Sequence, residues 1–294
     1  MKLNLIPRIK ELYETNNNII DFLKKSDNRE HNTTEDILIS YDFQAGSYIE
    51  IIENDLDYIN NYTEELLKVI NNHSKSFSTI MEVGVGEATT LCHLQKKVHR
   101  NVIFMGFDIS WSRIKFGKEY LESKSQQANL FVANLFEIPL ADSSIDVVYS
   151  SHSLEPNGGR EVEALKELYR VTKNTLVLLE PAYEFASNNF KKRMKKNGYV
   201  TDLKLKIIEL GYNLVEYKKF PVIAHDRNPT GLYVILKEDK KNKANLNFTC
   251  PISKDDLIEH SDHYFSKTSL ISYPKINEIP CLLTDYAVLT TKHS

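Results

Sequence analysis

The sequence predicts an α/β fold: a doubly wound, mostly parallel sheet of seven strands, preceded by a helical cap and followed by a small α+β or β module. Three observations predict it. From residue 80 to residue 236, short apolar runs alternate with stretches of helical period. The first run, residues 80–83, enters a turn with Gly84 and Gly86 and then polar residues able to open a helix. A strand, a glycine turn and a helix in that order bring backbone close to a nucleotide-like ligand. After Leu236 the composition changes: residues 237–247, KEDKKNKANLN, are charged and nearly free of apolar side chains, which reads as a linker.

The elements follow in order. Residues 1–72 read as a helical cap. Ile6, Ile9, Leu12 and Tyr13 fit one helical face, as do Ile19, Ile20, Phe22 and Leu23. Residues 26–34 are polar and read as a loop. Residues 40–48 set Tyr41, Gln44 and Tyr48 around Gly46, and a long amphipathic helix from Ile51 to Ile70 is expected after them. Two readings stand for that aromatic stretch. In one, Tyr41 and Tyr48 fill the core of the cap. In the other, Tyr41, Gln44 and Tyr48 form a lid over a ligand. Residues 73–236 hold the expected strands 79–83, 102–107, 129–132, 145–150, 175–180, 213–219 and 231–236. Helices are expected near 88–97, 111–122, 159–171, 185–196 and 200–210. Residues 248–294 carry a separate apolar set and are too few to be comfortable alone, so they are expected to pack on the larger part.

Composition narrows the function. Of 294 residues, 41% are hydrophobic and 26% charged, enough for a sizeable core. A net charge of −3 argues against a general nucleic-acid binder. Three scattered cysteines, Cys92, Cys250 and Cys281, fit a reducing compartment better than a disulfide framework. No apolar run approaches ~18 residues and no signal-peptide core is seen, so no membrane role and a cytoplasmic location are expected.

In an open α/β sheet, ligands sit beyond the carboxyl ends of the strands. The residues there are Gly84 and Gly86 after the first strand, and Asp108 and Ile109 at the end of the second. Asn134 and Leu135 follow the third, and Ser151 and His152 the fourth. A carboxylate about 20 residues past the glycine turn is placed to accept from ribose hydroxyls.

Residues 79–180 resemble class I S-adenosylmethionine-dependent methyltransferases. The likeness rests on Glu82-x-Gly84-x-Gly86, on Asp108, on the stretch IPLADSSID ending at Asp146, on the exit of the fourth strand, and on the helix 161–171. It implies S-adenosylmethionine as cofactor and S-adenosylhomocysteine as product. It also implies that Glu82, Gly84 and Gly86 line the methionine and ribose end, and that Asp108 takes the ribose hydroxyls. Ile109 is then set against the adenine, Asn134 and Leu135 at its edge, and Ser151 and His152 toward cofactor and substrate. Ala88 stands where a third glycine is frequent, and Asn134 where aspartate is usual. A nicotinamide dehydrogenase would want a glycine at Thr89.

Methyl transfer from a sulfonium needs alignment, exclusion of water and, for a protonated nucleophile, a base. The candidates are His152, His225 and Glu180, with Tyr183 beside the acceptor; a satisfied polar role is the plain alternative for each. Lys191, Lys192, Arg193, Lys195 and Lys196 read as a solvated helix face, or as an attractor for an anionic substrate.

The C-terminal stretch resembles the small zinc-ribbon-like modules that activate tRNA and protein methyltransferases. The likeness rests on Cys250-Pro251-x-Ser253 and on the stretch from Ser272 to Leu283. Where the family has four cysteines, this chain has Cys250, Ser253, Ser266 and Ser269. One thiolate is not a zinc site, so no metal is expected; the alternative is a site of His260 and His263 with Cys250 and Cys281. Three functions therefore compete: a methyltransferase for O or N of a small molecule, a methyltransferase for tRNA or protein, and a non-catalytic cofactor-binding subunit.

Overall fold

A computed structural model describes residues 2–222, 229–237 and 246–293. The cap consists of α1 (Ile6–Glu14), α2 (Ile19–Ser26), α3 (Thr34–Phe43), α4 (Ser47–Glu53) and α5 (Leu56–His73). A capping box starts α3: Thr33 accepts from the Asp36 amide, and Asp36 accepts from the Thr33 amide. Sequence periodicity joined residues 51–70 into one helix. The chain instead breaks at Asn54 and Asp55, because the Asp55 side chain accepts from the Tyr58 amide and begins α5 there.

The central segment supplies β1 (Thr79–Val83), α6 (Thr89–Gln95), β2 (Ile103–Asp108), α7 (Trp111–Ser123), β3 (Asn129–Val132) and β4 (Ile145–Ser151). It continues with α8 (Glu161–Val171), β5 (Thr172–Pro181), α9 (Asn188–Asn197), α10 (Leu203–Glu209), β6 (Asn213–Lys219) and β7 (Thr230–Leu236). The strands form one sheet in the order β3-β2-β1-β4-β5-β7-β6. The first five pair in parallel, while β7 runs antiparallel to both β5 and β6. Every residue of β1 is buried, as expected for a parallel strand with helices on both faces. The strand order reverses between β1 and β4, which opens a crevice at their carboxyl ends.

The C-terminal segment forms β8 (Ile258–Glu259), β9 (His263–Ser266), β10 (Ile271–Ile276), β11 (Ile279–Pro280) and β12 (Val288–Leu289), a small antiparallel sheet. It meets the large sheet at the outer edge of β3. Cys281 bridges Val132 in parallel, and the Leu282 amide donates to the Val132 carbonyl at 2.8 Å. Side chains alternate across that junction. Cys281 and Leu283 enter the core on one face of the large sheet, and Leu282 enters the core on the other. Phe248 adds an edge-to-face contact with Phe131 at 4.9 Å.

Cys250, Ser253, Ser266 and Ser269 converge. Ser269 Oγ donates to Ser253 Oγ at 2.8 Å, Ser266 Oγ lies 3.3 Å from Ser253 Oγ, and Cys250 Sγ lies 3.6 Å from Ser269 Oγ. Asp255 accepts from Ser253 and Ser266. Hydrogen bonds tie these positions together, where three neutral hydroxyls are poor zinc ligands. Among the described residues no helix is long and apolar enough to cross a membrane.

Candidate active site

The turn after β1 is built for close approach. Gly84 and Gly86 adopt left-handed backbone, with φ of 62° and 53°. A Cβ on Gly84 would sit 2.3 Å from Ser153 Cβ, so the loop after β4 presses directly on the turn. Asp108 accepts from the Gly86 amide at 3.0 Å and from the Ser110 amide at 2.9 Å. One carboxylate thus fixes the glycine turn and the start of α7, and each oxygen keeps accepting capacity toward the crevice. The start of α7 is capped by Ser110, whose side chain accepts from the Arg113 amide, and by Asp42, which accepts from the Ser112 amide.

The cap forms a roof over this turn. Glu87 is buried, and its two oxygens accept from the Gly46 amide at 3.0 Å and the Ile49 amide at 2.8 Å. Gly46 precedes α4 and has no side chain to cap it, so Glu87 supplies the cap from another element. Arg113 is also buried. Its guanidinium lies 3.7 Å from Glu87 and faces the rings of Tyr48 at 4.6 Å and Tyr41 at 5.3 Å. Gln44 donates back to the Ser40 carbonyl.

Beneath the roof lies a cavity of about 1050 Å³. Glu82, Gly84, Gly86, Asp108, Ile109, Asn134, Leu135, Ser151 and His152 line it, and so do Tyr41, Gln44 and Tyr48. The structure thus brings together twelve of the residues singled out from the sequence. Glu180 and Tyr183 lie outside this wall. Glu180 is fully buried behind it, where one oxygen accepts from the amides of Ser153 at 3.1 Å and Leu154 at 3.2 Å. The Tyr183 ring faces Lys191 and Lys195. His225 falls outside the described residues.

His152 has left-handed backbone, φ 55°, and both ring nitrogens are engaged. Nδ1 lies 3.2 Å from Glu155 and Nε2 lies 2.8 Å from Thr230 Oγ1. Burial lowers the pKa of the ring, and the hydrogen bond and charge of Glu155 more than offset it, so the net shift is upward. Burial raises Glu82 to about 8, against the hydrogen bond from Tyr149. It raises Glu180 to about 7, against the charge of His152. Ser151 Oγ and Tyr62 OH share a hydrogen bond at 2.7 Å, which ties the exit of β4 to α5.

Residues 80–175 match the family model described as a methyltransferase domain. The matched stretch is about a third of the chain, and over it the chain is similar to that family. By that match it is an enzyme. No curated protein sequence matches the chain. Among solved structures, the methyltransferase in a complex with the Haloferax volcanii Trm112 methyltransferase activator aligns at a TM-score of 0.53 and 15% identity, covering 67% of this chain and 96% of that one. A SAM-dependent methyltransferase from Aquifex aeolicus aligns at 0.45 and 18%, covering 60% and 89%. One from Methanosarcina mazei aligns at 0.49 and 17%, covering 57% and 96%. The first of these shares the fold.

The lining of the methyltransferase domain suits a cofactor with a sulfonium and an ammonium group. Asp108 and Glu155 present carboxylates to the cavity, as do Glu87 and Asp55, against Arg113 and Arg193, while Glu82, raised to about 8 by burial, stands there as a neutral acid near pH 7. Glu87, Arg113 and Glu155 escaped sequence reasoning. For Glu87 and Arg113 the signal was a charge inside a stretch otherwise fit for burial, but their partners in the cap lie some 40 to 70 positions away.

Proposed function

We propose that this methyltransferase moves the methyl group of S-adenosylmethionine to an oxygen or nitrogen of a small molecule held under the N-terminal cap. One observation carries the reading. A single cavity joins the glycine turn to a wall made by the cap, with Tyr13, Ile20, Ile37, Ile52, Tyr58 and Ile59 on it. A pocket roofed by helices and lined by aliphatic and aromatic side chains fits an acceptor of limited size.

When bound, the cofactor supplies a methyl group already activated by its positive sulfur. The residues of the chain do the rest. Gly84 and Gly86 admit the ligand to the backbone, and Asp108 takes the ribose hydroxyls. Ile109 and Leu135 flank the adenine, Asn134 meets its edge, and Glu82 and Ser151 face the methionine end. Tyr41, Gln44 and Tyr48 exclude water from above. His152 removes the proton from the acceptor, oriented by Glu155 through Nδ1. Its Nε2 must then exchange Thr230 for the acceptor. Glu180 is a positioning group: it holds the backbone of Ser153 and Leu154 and thereby the turn at Gly84.

A second reading is favoured by the C-terminal segment. Its likeness to methyltransferase activators, its pairing with β3, and the activator in the Haloferax volcanii complex support an activator fused in the chain. Such an enzyme acts on tRNA or protein. Calorimetry with S-adenosylmethionine and S-adenosylhomocysteine tests the cofactor half. Transfer of labelled methyl into a small-metabolite extract, bulk tRNA and total protein tests the acceptor half. Label in tRNA or protein alone sinks the first reading. Binding without transfer to any acceptor leaves a non-catalytic subunit.

A further inference from the structure

Three histidines meet on the C-terminal sheet, away from the cavity. His260 lies in the turn between β8 and β9, His263 opens β9, and His293 follows β12. One ligand atom from each lies within 4.8 Å of the others, and among the described residues no other three His, Cys, Asp or Glu side chains form such a group. Neither Cys250 nor Cys281 belongs to it, so the mixed site weighed from the sequence does not form. His263 Nε2 and His293 Nε2 are 2.7 Å apart. Two neutral imidazoles at that distance share one proton, and a metal ion replaces such a proton when both lone pairs turn toward it.

The rings are already held. His263 Nδ1 bonds Asp262 at 2.7 Å, the carboxylate–histidine pairing that fixes a ligating ring and turns its other nitrogen, here against His293 Nε2, toward the place an ion would take. His293 stacks on Phe265 at 4.0 Å; His260 stacks on His263 at 4.6 Å with the planes 6° apart, so the His260 ring must turn about its side-chain bonds for its nitrogen to converge on an ion with the other two. All three are half-buried, so an ion has an entry path from solvent. Two nitrogens of a tetrahedral zinc site, each about 2.05 Å from the ion, stand about 3.3 Å apart. The His263–His293 pair must therefore open by about half an ångström, within the reach of small ring rotations.

We propose that His260, His263 and His293 bind one divalent transition-metal ion, zinc in particular, with water in the fourth position. Imidazole donors select zinc, copper, nickel or cobalt over magnesium and calcium. The ion clips the segment after β12 to the β8–β9 hairpin. It serves the small sheet in a place remote in chemistry from the cluster of Cys250, Ser253, Ser266 and Ser269.

The test uses the full chain without a polyhistidine tag. Titration with Zn²⁺ is expected to show one equivalent bound and a higher melting temperature. Co²⁺ is expected to give the visible bands of a tetrahedral imidazole site with no thiolate charge-transfer band. His263→Ala and His293→Ala should each weaken binding at least about tenfold, the least that loss of even an outer partner costs. Both variants should still bind S-adenosylhomocysteine, which shows that they fold. Cys250→Ser should bind Zn²⁺ as the parent does. Less than stoichiometric binding, full affinity in the His263→Ala, His293→Ala double variant, or loss of binding in Cys250→Ser overturns the proposal.

Discussion

Replacing Glu87 by alanine should loosen the roof of the active site. In the folded protein its carboxylate accepts the amides of Gly46 and Ile49, both at the start of α4. Gly46 has no side chain to satisfy them. A hydrogen bond to a charged group contributes about 1.5–3 kcal/mol, and both amides are half-buried, so the lower value applies to each. The loss is about 3 kcal/mol, and Arg113 also loses a carboxylate neighbour. Glu87→Gln keeps one acceptor but sets an amide N–H against one backbone N–H, so it should cost about half as much. Urea unfolding, with and without S-adenosylhomocysteine, gives the stability change. Hydrogen exchange gives its location: protection of the Gly46 and Ile49 amides should fall about a hundredfold, the ratio that ~3 kcal/mol implies. If Glu87→Ala leaves both the stability and the protection of these two amides unchanged, the roof is held by something else.

Further outcomes are expected. Gly84→Ala puts a Cβ against Ser153 and forces alanine into left-handed backbone, so cofactor affinity should drop at least about tenfold; adding Ser153→Gly should restore part of it, and no restoration would place the strain elsewhere. Asp108→Ala should weaken cofactor binding by about 1.5–3 kcal/mol, read by calorimetry. Only the neutral ring of His152 accepts a proton, and its pKa lies above the ordinary value, so activity should rise with pH through a limb above about 6.5. Glu155→Gln removes the charge that raises this pKa and should move that limb to lower pH; an unmoved limb excludes the pair as base. Ending the chain at residue 243 strips the cover from the edge of β3 and from Phe131, and should lower the melting temperature and the solubility; unchanged behaviour would make the C-terminal segment an independent bead.

Much of the sheet was legible because its signal is local. Buried strands such as β1, and β4 up to Ser150, read as short runs bounded by turns, and their carboxyl ends locate the crevice without any knowledge of contacts. Helix ends were less legible. The break at Asp55 depends on one side chain choosing its own backbone over continued helix, and the start of α3 was hidden because its capping residue Thr33 lies in the stretch 26–34 that reads as a polar loop. The roof was not legible beyond Tyr41, Gln44 and Tyr48. Glu87 capping a helix that starts at Ser47, Asp42 holding α7, and Tyr62 reaching Ser151 are polar contacts across long sequence separations, and no local pattern encodes them. Likewise, His293 has no visible relation to His260 until β12 folds back along β10.

The junction at β3 has a consequence for supply and assembly. An edge strand left open is a template for pairing with any other chain. A cover that is a separate protein leaves that edge bare whenever the partner is scarce. Here residues 237 and 246 are separated by only eight positions, so the cover stays at an effective concentration in the millimolar range even when it lifts off. Recapture is intramolecular and independent of expression level, and the ratio of catalytic part to cover is fixed at one to one by the chain itself.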